Sequence, residues 1–157
     1  MSDAVFHVPH PVNEPILNYE PGSAEKKSLK QALADLKSKQ GDIPMYIGGK
    51  HVFTEEKTTI RPPHELSHVL GTCAVGRAEH VRAAIDAALA AKPAWEAMPW
   101  QDRAAIFLKA ADLLAGPYRA KMNAATMLCQ SKNVFQAEID CVCELVDFWR
   151  YNVWFMQ

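Results

Sequence analysis

Two histidines four residues apart, with a glutamate after the first, are the most chemically suggestive group in this 157-residue chain: His64-Glu65-Leu66-Ser67-His68. On a helix that spacing puts both imidazoles one turn apart, where they ligate zinc while the glutamate acts as general base in hydrolysis. Val69-Leu70-Gly71 extends the match to H-E-x-x-H-x-x-G, but the longer pattern needs a third ligand at position 74, which is Ala74. His80 or Glu79 would have to stand in, and no spacing positions either. Pro62-Pro63 leaves room for a single turn of helix, too short to hold ligands rigidly. Thr58 to Ile60 and residues 69–75 favour strands around a turn. The segment is therefore expected to be a turn with exposed histidines, holding no metal. A zinc hydrolase built on His64 and His68 stays open as an alternative. His7, His10 and His51 show no ligand spacing.

Cys73, Cys129, Cys141 and Cys143 form no recognisable framework. Cys141-x-Cys143 resembles a metal pair, but helical residues i and i+2 face apart and cannot share an ion. Reduced cysteines filling small buried spaces are expected.

A second constellation lies near the carboxyl end. Gln136, Asp140, Glu144, Asp147 and Tyr151 recur at helical spacing, one polar strip beside an aromatic surface. The strip reads either as a solvated face or as a face on which one carboxylate meets a cationic group. Paired carboxylates for acid–base chemistry need a cleft, which helical spacing alone does not supply. Beside the strip, Phe148, Trp149, Tyr151, Trp154 and Phe155 fall within the last ten residues and spread round most of a helix. A helix apolar nearly all round belongs inside a larger structure. The chain is accordingly expected to be incomplete at the carboxyl end, or else a helical interaction module that docks a partner through its aromatic terminus.

The elements that position these groups follow from periodicity and breakers. Residues 1–22 hold four prolines and no periodicity, an extended arm laid on a surface. Residues 23–41 read as a helix capped by Ser23, with Leu29, Ala32, Leu33 and Leu36 on one face and Gly41 as its stop. Residues 44–76 read as a β element: two strands about Gly48-Gly49, then Thr58-Thr59-Ile60 and His68-Val69-Leu70. Residues 77–157 read as helices. The first carries Val81, Ala84, Ile85, Ala88 and Leu89 and is kinked or ended by Pro93. The second spans Trp100 to Ala115, with Ile106, Lys109, Ala110, Leu113 and Leu114 at helical spacing. Gly116-Pro117 opens a third, and the last runs from about Val134. The fold class is α+β, mostly helical with a small β element, without βαβ alternation or internal repeat.

Seventeen basic and eighteen acidic residues give a net charge of −1, so no bulk field favours nucleic acid or an anionic membrane. No apolar run approaches a membrane span, and Met1-Ser2-Asp3 lacks the start of a secretory or transit segment. The default expectation is a cytoplasmic protein.

Several blocks carry a family likeness: Asn13-Glu14-Pro15-Ile16, Pro21-Gly22-Ser23, residues 84–91, residues 102–112, Gln136-Ala137-Glu138-Ile139-Asp140 and Glu144-Leu145-Val146-Asp147-Phe148. In order and spacing they resemble the amino-terminal part of the Δ1-pyrroline-5-carboxylate dehydrogenases, also called L-glutamate γ-semialdehyde dehydrogenases, of the aldehyde dehydrogenase superfamily. Residues 23–157 would then be the amino-terminal portion of an aldehyde dehydrogenase α/β domain. The resemblance implies NAD-dependent oxidation of L-glutamate γ-semialdehyde to L-glutamate in proline catabolism, through a cysteine thiolate, with hydride passing to NAD and water releasing the acid. It implies a homo-oligomer acting on a small molecule. It places the nucleophile, the water-activating glutamate and most of the NAD-binding residues outside this chain, so no catalytic or cofactor-binding residue is assigned and the chain alone is expected to be inactive. One position carries over: Glu144 matches a glutamate near the family's aldehyde entrance and would sense the substrate's amino group. The alternative is a helix-face carboxylate paired with a neighbouring base. Cys129-Gln130-Ser131-Lys132-Asn133 departs from the Gly-Gln-Gly-Lys-Thr of some relatives, losing two glycines before the last helix.

Overall fold

The computed structural model describes residues 5–157; the part of the arm at residues 1–4 lies outside them. From Val5 to Glu20 the chain has no regular structure. Gly22, at φ +87°, turns it into helix α1 (Ala24–Ser38), which Ser23 caps by accepting from the Lys26 N–H at 3.3 Å. The helix ends at Ser38 and not at Gly41, because Gly41 opens a strand, β1 (Gly41–Ile43), that periodicity did not reveal.

Strands β2 (Met45–Ile47) and β3 (Lys50–Val52) form a hairpin whose two-residue turn needs positive φ at both positions; Gly48 and Gly49 supply +57° and +76°. Strands β4 (Lys57–Ile60) and β5 (Gly71–Ala74) complete a separate sheet of order β1-β5-β4, parallel between β1 and β5 and antiparallel between β5 and β4. The last strand is thus displaced from the expected His68-Val69-Leu70. Those residues form its approach, with the Leu70 N–H on Ile60 O at 2.9 Å. Gly71 faces Gly41 so closely that a Cβ would lie 2.1 Å from the Gly41 carbonyl oxygen. No other residue fits that register.

Helix α2 (Ala78–Ala97) continues past Pro93, which therefore does not end it. No residue of α2 is buried, so the stripe of Val81, Ile85 and Leu89 lies open. Helix α3 (Trp100–Ala115) has the expected bounds but buries Ala104, Ala111 and Leu114, leaving Ile106 and Leu113 exposed. Pro117 sits in the turn before α4 (Arg119–Gln130), not in its first turn. The final helical stretch comprises α5 (Val134–Ala137), a π-helical turn (Glu138–Cys143) and α6 (Glu144–Met156).

Two apolar clusters hold these parts together. Ala111 and Leu114 of α3 pack on Val142 and Val146, with Leu145 and Trp149 alongside. Leu29 of α1 and Ala124 of α4 enclose Tyr19 of the arm, flanked by Leu33, Leu36 and Met127. The aromatic end is divided. Val146 and Val153 give α6 a buried face, and Trp154 meets His10 of the arm edge-on at 5.2 Å, while Phe148 and Phe155 are exposed. Part of the surface expected to need cover from outside the chain is therefore covered by the chain's own arm.

Candidate functional site at the arm and the last helix

The π turn decides which carboxylates are buried and which are free. Hydrogen bonding from i to i+5 widens the helix by one residue per turn. The Glu144 N–H makes such a bond to Ile139 O, and Cys143 comes to lie over Glu138, with Sγ 3.9 Å from Oε1. Glu138 itself is fully buried. Its Oε1 accepts from the Leu17 N–H at 2.9 Å and from Arg119 through Nε and Nη2; its Oε2 accepts from Tyr19 Oη and Asn123 Nδ2, each at 2.7 Å. A buried charge persists only when paired and hydrogen-bonded to this extent. Burial raises the Glu138 carboxyl's pKa, but the hydrogen bonds from Arg119, Leu17, Tyr19 and Asn123 outweigh it, so the net displacement is downward. Burial and the bond to Glu138 push the Tyr19 phenol up to about 12.

The same arginine fixes the arm. Arg119 donates to Glu14 Oε1 at 2.5 Å and to Pro15 O at 2.6 Å, and Arg150 donates to Glu14 Oε2 at 2.7 Å. Asp147 then accepts from Asn13 Nδ2 at 2.6 Å and from the Glu14 N–H at 2.7 Å, while Tyr151 Oη donates to Asn13 Oδ1 at 3.1 Å.

Asn13, Glu144, Asp147, Phe148 and Tyr151 line a cavity of about 430 Å³. Glu144 also borders a second hollow, on its other side, with Lys132 and Asp140. Lys132 is paired with Asp140 at 2.7 Å. Among the described residues the exposed Glu144 carboxylate has neither a cation nor a hydrogen-bond donor on it, so the pairing with a neighbouring base that the sequence left open is not found. The polar strip is therefore not uniformly solvated: Asp140 and Asp147 are engaged and Glu144 is free.

The histidine motif resolves as a turn. The Glu65 N–H bonds Pro62 O and the His68 N–H bonds Glu65 O, each at 3.0 Å, with no helix between them. His64 Nδ1 shares a hydrogen bond of 2.8 Å with Ser131 Oγ, and Glu65 pairs with Lys37 at 2.5 Å, which holds its carboxyl below the usual value. Among the described residues, no three His, Cys, Asp or Glu side chains converge on a point where a metal could sit. Of the cysteines only Cys143 is buried; Cys129 is exposed, so space-filling does not describe all four. Burial and Glu138 push the Cys143 thiol up to about 11, which keeps it from serving as a thiolate near neutral pH.

Glu138 escaped the sequence reading. Its one signal was a carboxylate standing between Ala137 and Ile139, off the polar strip, with Arg119 and Asn123 one turn apart on another helix. Among the described residues no helix is long and apolar enough to cross a membrane.

Known proteins are similar to this chain in sequence and fold. A family model described as aldehyde dehydrogenase family matches residues 52–156. A delta-1-pyrroline-5-carboxylate dehydrogenase of Agaricus bisporus is 48% identical over 98% of this chain, and the human mitochondrial protein of that name is 44% identical over 89%. The crystal structure of the Mycobacterium tuberculosis Delta-pyrroline-5-carboxylate dehydrogenase bound with NAD and cobalamin superposes on 99% of the chain, with 49% identity and a TM-score of 0.96. The chain spans 28% of the Agaricus protein, 25% of the human one and 30% of the mycobacterial one. With two thirds of its residues matched by the family model, the chain belongs to the aldehyde dehydrogenase family.

Proposed function

We propose that this chain forms the substrate-entrance wall of an NAD-dependent dehydrogenase that oxidises L-glutamate γ-semialdehyde, the open form of Δ1-pyrroline-5-carboxylate, to L-glutamate. In this reading Glu144 receives the substrate's ammonium group. The observation that carries it is a free carboxylate at the rim of a cavity in which every neighbouring cation is already engaged. Arg119 is held by Glu14 and Glu138, Arg150 by Glu14 and Lys132 by Asp140. Asp147 takes only neutral donors, so Glu144 and Asp147 leave uncompensated negative charge beside Phe148. Such a surface favours a small cation with an aliphatic stem. The names of the relatives supply the substrate class.

The described residues do not fit NAD by themselves. No glycine-rich turn leads from a parallel strand into a helix, and the start of α2 is occupied by Arg77, whose N–H bonds His80 and whose guanidinium holds Glu56 at 2.7 Å. Cofactor binding and the chemistry at the aldehyde carbon are assigned to polypeptide outside these residues, with residues 23–157 as the amino-terminal portion of the catalytic unit. A homo-oligomeric assembly and a cytoplasmic location belong to the same proposal; the human relative is named as mitochondrial, and cell fractionation decides the compartment.

The open stripe of α2 favours a second reading, an interaction module. On the dehydrogenase reading, the same stripe packs against the rest of the enzyme. The test is Glu144→Gln in an assembled dehydrogenase in which this chain replaces the matching segment of the mycobacterial enzyme. KM for L-glutamate γ-semialdehyde is expected to rise about tenfold, the equivalent of one charge-assisted hydrogen bond of roughly 1.4 kcal/mol. An unchanged KM contradicts the assignment of Glu144.

A further inference from the structure

Asn13 belongs to the arm, yet it forms part of the cavity wall that carries Glu144, about 130 residues away in sequence. Both ends of its amide are committed: Nδ2 to Asp147 Oδ2 at 2.6 Å, and Oδ1 to the Tyr151 hydroxyl at 3.1 Å. The Glu14 N–H covers the other Asp147 oxygen at 2.7 Å, and the Glu14 carboxylate is clamped between Arg119 and Arg150. Each Asp147 oxygen retains a lone pair, but the carboxylate cannot rotate towards a ligand without breaking its bonds to the arm. Glu144, three residues earlier on α6, keeps both oxygens available.

We propose that Asn13 is a positioning residue for recognition of the substrate's ammonium group. It fixes Asp147 and Tyr151 as a rigid wall, so that Glu144 alone takes the cation while Asp147 contributes charge at a distance. This rests on the reading of Glu144 given above. Losing the Asn13 amide frees Asp147 to compete for the ammonium group in a second, unproductive place, and the gain from preorganisation is lost. A purely structural role for Asn13, as a tie for the arm, would weaken every substrate alike.

Two aldehydes separate these roles: L-glutamate γ-semialdehyde, and glutarate semialdehyde, which has the same carbon skeleton without the amino group. Both are assayed in the assembled dehydrogenase carrying this chain. Asn13→Ala is expected to raise KM for the aminated aldehyde about three- to tenfold and KM for the other by less than about twofold, shifting their ratio. Tyr151→Phe, which removes only the hydroxyl on Asn13 Oδ1, is expected to shift that ratio in the same direction by a smaller factor and guards against loss of the fold in Asn13→Ala. Equal changes for both aldehydes, or an unmoved ratio, overturn the proposal. Glu144→Gln is measured in parallel. If it moves the ratio and Asn13→Ala does not, the positioning role fails while the reading of Glu144 stands; if Glu144→Gln leaves the ratio in place, both fall together.

Discussion

Glu138 keeps its charge with no exposed surface because five donors from two parts of the chain, the arm and α4, converge on two oxygens. Removing one side of such a pair leaves the other buried and uncompensated, so Glu138→Ala is expected to cost about 3–5 kcal/mol, read from denaturant unfolding followed by tryptophan fluorescence. The network also sets two pH limits of opposite sign. The Glu138 pKa lies below the ordinary 4.5, so its contribution is complete above that value and is lost as pH falls through the lower, folded one. The Tyr19 pKa is raised from 10.0 to about 12, so its contribution is complete below 10 and is lost as pH climbs towards 12. Stability measured across pH should therefore fall at both ends, and Tyr19→Phe should remove the part of the alkaline loss between 10.0 and about 12 while leaving the part due to the Cys143 thiol, which sets in above 9.0. Ser131 gives a smaller test. It closes α4 in the left-handed region at φ +56°, and its hydroxyl shares a hydrogen bond with His64. Relief of that strain at about 1 kcal/mol exceeds the value of one exposed hydrogen bond, so Ser131→Gly is expected to raise Tm slightly. The histidine motif thus has a structural use that its spacing alone would not suggest.

At the scale of elements, breakers were legible wherever their effect is local. Gly48-Gly49 and Ser23 act through their own backbone or the next turn, and the structure places them as the sequence implies. Periodicity failed where tertiary contact chooses the face. In α3 the close approach of α6 selects the small Ala104 and Ala111 over the larger Ile106. The π turn was invisible because it keeps helical composition while shifting every later residue by one position. Pro93 misled for another reason: α2 continues for a further turn beyond it and is closed by the Met98 N–H on Ala94 O and Trp95 O. The Leu89 carbonyl, which a residue at position 93 would normally bond, has lost its donor. Pro93→Ala is therefore expected to stabilise α2 by up to about 3 kcal/mol, seen as a higher Tm and slower amide exchange across residues 85–97. No change in exchange would mean that α2 is too weakly coupled to the rest for its propensity to count.

For the whole molecule, the family was legible because blocks of residues recur in order, and that ordering survives although several local boundaries move. The candidate site was half legible. Glu144 stood out through the resemblance, whereas its wall is built by an arm that contributes no periodic pattern and meets α6 from more than 130 residues away. Long-range pairing of that kind leaves no local trace in sequence. On the proposed reading, the open faces of α2 and of Phe148 and Phe155 are where the rest of a dehydrogenase packs. The most direct measurement is NADH formation from L-glutamate γ-semialdehyde, comparing the chain by itself with the assembled dehydrogenase that carries it. The expected result is turnover by the assembled enzyme and none by the chain alone. Turnover by the isolated chain, or a folded assembly that binds NAD and leaves the semialdehyde untouched, would contradict it.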